Sequence, residues 1–212
     1  QRSLARLRHE VEPVRPDAYA RLLLAWQGVD RPSGVPARGI EALEAAVECL
    51  QGAAMPASAL ESHVLPSRIG EYRAEHLDEL TASGAVVWVG REPLGPYDGR
   101  IALYRADRLA LLLPASPAGG LDGPIHRKIR DCLAARGASF FPQIQTATGG
   151  FFRETLDALW DLVWAGEVTN DTLRPVRALM RTRAPSRRRA GGIPPEAAGR
   201  WSLVRSAILQ EP

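Results

Sequence analysis

The chain has 212 residues, 45% of them hydrophobic and 24% charged, and a net charge of +3. That length supports one large core or two small ones, and no apolar run approaches the ~20 residues a membrane-crossing helix needs. Residues 1–38 carry seven Arg against four acids, residues 39–171 eleven basic side chains against eighteen acidic, and residues 172–212 nine Arg against two Glu; an anionic polymer is therefore expected at the ends and not along the acidic middle.

Residues 1–38 read as a helical lead-in and linker. An amphipathic stretch covers residues 4–11, and a second helix starts at Pro16, with Leu22, Leu23 and Trp26 on one side and an end at Gly28. The Pro- and Gly-rich residues 29–39 form a connector. Gln1 opens no signal-like segment, so the chain is expected to be a piece of a longer, cytoplasmic protein.

Residues 39–114 form the first unit. A helix over 40–50 carries Leu43, Ala46, Val47 and Leu50 at helical spacing, with Glu41, Glu44 and Glu48 opposite. An apolar helix over 57–65 runs into Pro66, a turn passes through Ile69, Gly70 and Glu71, and a second helix starts near Arg73 with Leu77 and Leu80 inward. Gly84 supplies the helix stop, residues 85–89 are β-rich, and residues 100–104 return as a second strand after a turn-rich loop. Helix, turn, helix and hairpin is the order of a winged helix-turn-helix. A short apolar element over 107–113 follows.

Residues 115–183 form the second unit, with helices over 125–135 and 140–147. A third helix bears Leu156, Leu159, Trp160, Val163 and Trp164 and stops at Gly166, before a strand from residue 167. Leu80 and Gly84 match Leu162 and Gly166, an offset of 82 residues that reads as an internal repeat. A basic helix over 174–183, an Arg/Pro/Gly linker over 184–199 and the start of a further β-rich module over 200–212 complete the chain. The expected fold is mainly α with small β-hairpins, as tandem winged helix-turn-helix modules.

No glycine-rich phosphate loop with Lys and Ser/Thr occurs, so the segment is expected to hold no ATPase site and no cofactor of its own. His9, His63, His76 and His126 are not at metal-ligand spacing to one another or to Cys49 and Cys132, so no metal is expected, and both thiols are expected to be buried. Glu75, Asp78 and Glu79 face outward on the first recognition helix, as do Glu154, Asp157 and Asp161 on the second. Carboxylates repel a phosphate wall, so these helices should face solvent, an Arg-rich surface of the same protein, or a partner. Nucleic-acid contact is left to Arg91, Tyr97 and Arg100 around the first wing loop and to Arg181, Arg183, Arg187, Arg188 and Arg189. Trp88 is read as core packing rather than a stacking surface.

Residues 56–90, the strand around Ala102, GASFFPQIQ, DALWDLVWAGEVTNDTLRPVRAL and GRWSLV together resemble, in order, the C-terminal extension of bacterial large helicase-related (Lhr) proteins. The resemblance implies an upstream superfamily 2 helicase core that binds ATP and Mg and tracks 3′-to-5′ on single-stranded DNA in repair. It also implies tandem winged helices followed by a β-barrel-like module, of which residues 200–204 would be the first strand. On this reading the segment is a non-catalytic DNA-binding and assembly scaffold, partnered by DNA and its own helicase core, with a homo-oligomer allowed and no membrane contact. Two alternatives stay open: a pure protein–protein oligomerisation module, or part of a winged-helix DNA glycosylase site for uracil or an alkylated base. For the second, Gln143-Ile144-Gln145 has the form of those enzymes' Gln-x-Gln motif.

Overall fold

The first described helix, α1 (Pro16–Trp26), opens on Pro16, whose fixed backbone angle suits a first helical turn. Its apolar side forms as expected but lies uncovered: no residue of α1 is buried, and Leu22 and Trp26 are 56% and 71% exposed. The computed structural model describes residues 13–30, 37–114, 121–181 and 193–208. The expected helix over residues 4–11 lies outside them, as does the middle of the connector.

The first repeat runs α2 (Gly39–Leu50), β1 (Met55–Pro56), α3, α4 (Ala74–Ala82), β2 (Val86–Pro93), β3 (Gly99–Arg105) and α5 (Ala106–Leu112). Helix α3 begins as Ala57–Ala59 and continues as a π turn over Leu60–Val64, closed by the Leu65 N–H donating to the Leu60 carbonyl at 2.9 Å. Pro66 has no N–H to carry a helical ladder further. The expected inward stripe of α2 is buried at Leu43, Ala46, Val47 and Leu50, and Leu77 and Leu80 of α4 are buried beside it.

The second repeat retraces that order. It comprises α6 (Pro124–Arg136), β4 (Ser139–Phe140), α7 (Phe141–Thr148), α8 (Phe152–Trp164), β5 (Val168–Asn170), α9 (Arg174–Arg181), a 3₁₀ turn (Pro195–Ala197), β6 (Arg200–Leu203) and α10 (Val204–Ile208). Each repeat has one three-stranded antiparallel sheet, in the orders β1-β3-β2 and β4-β6-β5. The chain is thus a tandem winged helix, mainly α with small antiparallel sheets.

Three expectations are corrected here. Arg200–Leu203 opens no further module; it pairs with both β4 and β5 as the return strand of the second wing. The end of the expected 184–199 linker belongs to the same repeat, where Ala197 is buried and its carbonyl accepts the Trp201 indole N–H at 3.3 Å. Cys132 is buried, but Cys49 is exposed. It sits beside the Leu43–Leu50 stripe rather than on it, which a 3.6-residue period turns toward solvent.

The repeats share one apolar core that runs from Leu43, Leu60 and Leu77 through Trp88 to Leu159, Val163 and Trp201. Each such fully buried large side chain contributes roughly 1.5–3 kcal/mol of transfer free energy. Trp88 is fully buried, as its core reading requires. Its indole N–H donates to the Thr172 carbonyl at 3.2 Å, and its own carbonyl accepts the Thr169 hydroxyl at 2.6 Å. On the opposite face of the first sheet, Val87, Val89, Ala102 and Tyr104 form a second cluster with Leu109 of α5 and Val204 of α10.

Two glycines make this union of repeats geometrically feasible. A Cβ on Gly90 would stand 2.1 Å from the Val163 carbonyl oxygen, and one on Gly99 would stand 2.4 Å from the Trp164 ring. The C-terminal end of α8 therefore rests directly on the backbone of the first wing. No described helix is long and apolar enough to cross a membrane.

Candidate nucleic-acid interface

The recognition helix of the first repeat, α4, is occupied from within the chain. Asp78 has a side chain only 13% exposed, and its Oδ1 accepts the Leu173 N–H at 3.0 Å just ahead of α9. Its Oδ2 accepts Arg177 Nη1 at 2.8 Å. Arg177 also donates to Glu61 from Nε at 2.6 Å and from Nη2 at 2.9 Å, a bidentate pair in which both side chains are about one-sixth exposed. Of the readings open for Asp78, an Arg-rich surface of the same protein is the one realised. Glu75 and Glu79 remain on solvent.

Tyr72 completes this network by donating its hydroxyl to Glu61 at 2.5 Å. Burial, and then the bond to the Glu61 carboxylate, push the Tyr72 phenol well above its ordinary range, so it stays protonated as the donor. Burial works against the charge of Arg177, but its hydrogen bonds to Glu61 and Asp78 outweigh that effect and raise its pKa. The group is internally paired.

Above the network lies an open cleft of about 500 Å³ between α3 and α9. Ser58, Glu61 and Ser62 line it from α3, Tyr72 from the approach to α4, and Arg177, Met180 and Arg181 from α9. The first wing reaches the near rim, where Asp98 accepts the Ser58 hydroxyl at 2.6 Å and the Ser58 N–H at 3.3 Å. Tyr97, next to it on the wing tip, is 39% exposed.

The contact residues expected from the sequence therefore divide. Arg181 lines this cleft; Tyr97 does not, and comes near it through its neighbour Asp98, which holds Ser58. Arg100 lies elsewhere, on the sheet face that alternation shares with Ala102 and Tyr104, and its Nε is held by Glu92 at 2.6 Å. Arg91 is the extra residue of a β-bulge between Gly90 and Glu92, close enough to Tyr104 to lower a phenol pKa that burial raises. Arg183 and Arg187–Arg189 lie outside the described residues. The basic helix α6, whose Arg127, Lys128 and Arg136 are exposed, went unremarked in the sequence because the acidic total of residues 39–171 conceals it.

In the second repeat Asp157 and Asp161 are engaged separately, by Arg153 at 3.2 Å and by His126 at 3.1 Å. Gln143 and Gln145 lie on α7. The Gln143 side chain accepts the Phe140 N–H at 2.8 Å, which closes the start of that helix, and Gln145 is half-buried. Gln143→Ala is accordingly expected to cost about 1 kcal/mol of stability, the ordinary value of an N-terminal cap. Thermal denaturation checks this, and an unchanged midpoint would deny the capping role.

Residues 14–106 match the family model described as "Large helicase-related protein, winged-helix domain", a stretch that takes in α1 with the first repeat. The chain is 40% identical, over 98% of its length, to a curated protein of Mycolicibacterium smegmatis named "Lhr helicase/ probable uracil glycosylase". It is 35% identical, over 99% of its length, to an Escherichia coli protein named "Lhr helicase/uracil glycosylase". It spans 15% and 16% of those proteins' own lengths.

Proposed function

Since this chain belongs, through its winged-helix residues 14–106, to the large helicase-related family, we propose that it is a non-catalytic DNA-binding and assembly scaffold in the C-terminal region of an ATP-dependent 3′-to-5′ DNA helicase of DNA repair. The observation that carries this reading is the docking of α9 on α4 through Asp78, Arg177 and Glu61. A recognition helix tied down inside the chain is a frame and not a reader. Single-stranded DNA is then left to Tyr97 on the first wing, to Arg181 at the cleft and to the Arg residues that follow it in sequence.

Assembly falls to α1. Its Tyr19, Leu22, Leu24 and Trp26 are all about half exposed or more, and the chain spans only 15% and 16% of its relatives' own lengths. The occupant we assign to that apolar side is the helicase core of the same chain, in the cytoplasm. ATP and Mg belong to that core.

A glycosylase reading is favoured by the names of both relatives. It is opposed by the Gln143 side chain, which is committed to its own helix start. Incubation with single-stranded DNA bearing one uracil separates the two readings. The scaffold reading expects retained binding and no alkali-labile site; excision that Gln145→Ala abolishes would place a catalytic site here and overturn it.

A further inference from the structure

We propose that the cleft between α3 and α9 receives one unstacked nucleobase of single-stranded DNA, with the adjoining phosphate on Arg181; this rests on the DNA-binding reading above. The opening of about 500 Å³ is within the range of small-ligand clefts. That volume is enough for a base with part of its sugar. The cleft's lining is apolar at Ala57, Ala74 and Met180, hydroxylic at Ser58 and Ser62, and carries the paired Glu61 and Arg177.

The charges decide which part of a nucleotide goes where. Glu61, which itself lines the cleft, and Asp78 are already matched by Arg177, with Arg174 3.5 Å from Asp78. Asp98 at the near rim is turned onto Ser58. That leaves the floor without a net positive field to hold a phosphate, so it suits an uncharged planar group. Arg181 on α9 is exposed, and no ion pair holds it among the described residues; it is the cation placed to take the phosphate. Tyr97, exposed on the wing tip beside the Asp98 that holds Ser58, offers a ring on which the neighbouring base can stack.

The test is photocrosslinking of a single-stranded oligonucleotide that carries one 4-thiothymidine, with the crosslinked residue mapped by mass spectrometry. Crosslinks to Tyr72 or Met180 are expected. Ser62 is exposed on α3, so Ser62→Trp fills the mouth without disturbing the core; it should reduce those crosslinks about tenfold while affinity changes little. Arg181→Gln should lower the salt slope of binding by about 0.7, the loss of one phosphate contact on a single strand. Binding with crosslinks only outside the cleft, or crosslinks that survive Ser62→Trp, overturns the base site and leaves the scaffold reading standing. Absence of any binding overturns both.

Discussion

Arg177→Ala is expected to destabilise the protein by about 3–5 kcal/mol, the range found when one partner of a buried ion pair is removed. The side chain donates to Glu61 twice, to Asp78 once, and to the Ala74 carbonyl at 3.3 Å. All three charged groups are 13–16% exposed. Without the guanidinium, two partly desolvated carboxylates of the first repeat are left side by side at the joint, with no cation from the second. Removing the charges together should cost much less, because no unpaired ion is left behind: Arg177→Met with Glu61→Gln and Asp78→Asn should lose less than Arg177→Ala alone. Denaturant midpoints report both values. A loss below about 1 kcal/mol for Arg177→Ala would mean that the network does not join the repeats.

Gly90→Ala should cost about 3 kcal/mol, the upper end of ordinary overpacking. The added methyl would sit 2.1 Å from the Val163 oxygen and 2.8 Å from its carbonyl carbon. Both are backbone atoms of α8 and cannot swing aside as a flexible side chain would. Relief requires α8 to lift from the first wing, which strains the Thr169–Trp88 and Trp88–Thr172 hydrogen bonds. Proteolysis between the repeats should therefore accelerate along with the loss of stability. A Gly90→Ala protein with the wild-type denaturation midpoint would show that α8 does not rest on the wing.

Much of this architecture was legible in the sequence. The stripes of α2, α4 and α8 carry their 3.6-residue period in Leu, Val and Trp, and Gly84 and Gly166, at φ of +80° and +75°, mark the same stop in both repeats. Helix α9 was legible as a basic helix. Its role was not, since Arg177 finds Asp78 99 residues away, and no local pattern encodes such a pairing. For the same reason residues 200–203 were assigned to a new module: their partners lie at Ser139–Phe140 and Val168–Asn170. Strands of two residues such as β1 and β4 have too little sequence to show a period. Of the residues that line the cleft, the sequence singled out only Arg181 as a contact candidate. The cleft's lining unites α3, the approach to α4, and α9, which only the packing of the repeats brings together.

The central claim, a scaffold that holds single-stranded DNA through its basic rim, is tested most directly by binding affinity as a function of salt. With a fluorescent single-stranded oligonucleotide, log K should fall linearly with log salt, by about 0.7 for each phosphate neutralised. Replacing Arg187, Arg188 and Arg189 together with Ala should flatten that line by about 2 units. Absence of binding even at low salt would contradict the account, and a slope unmoved by the triple replacement would take those three Arg residues out of it.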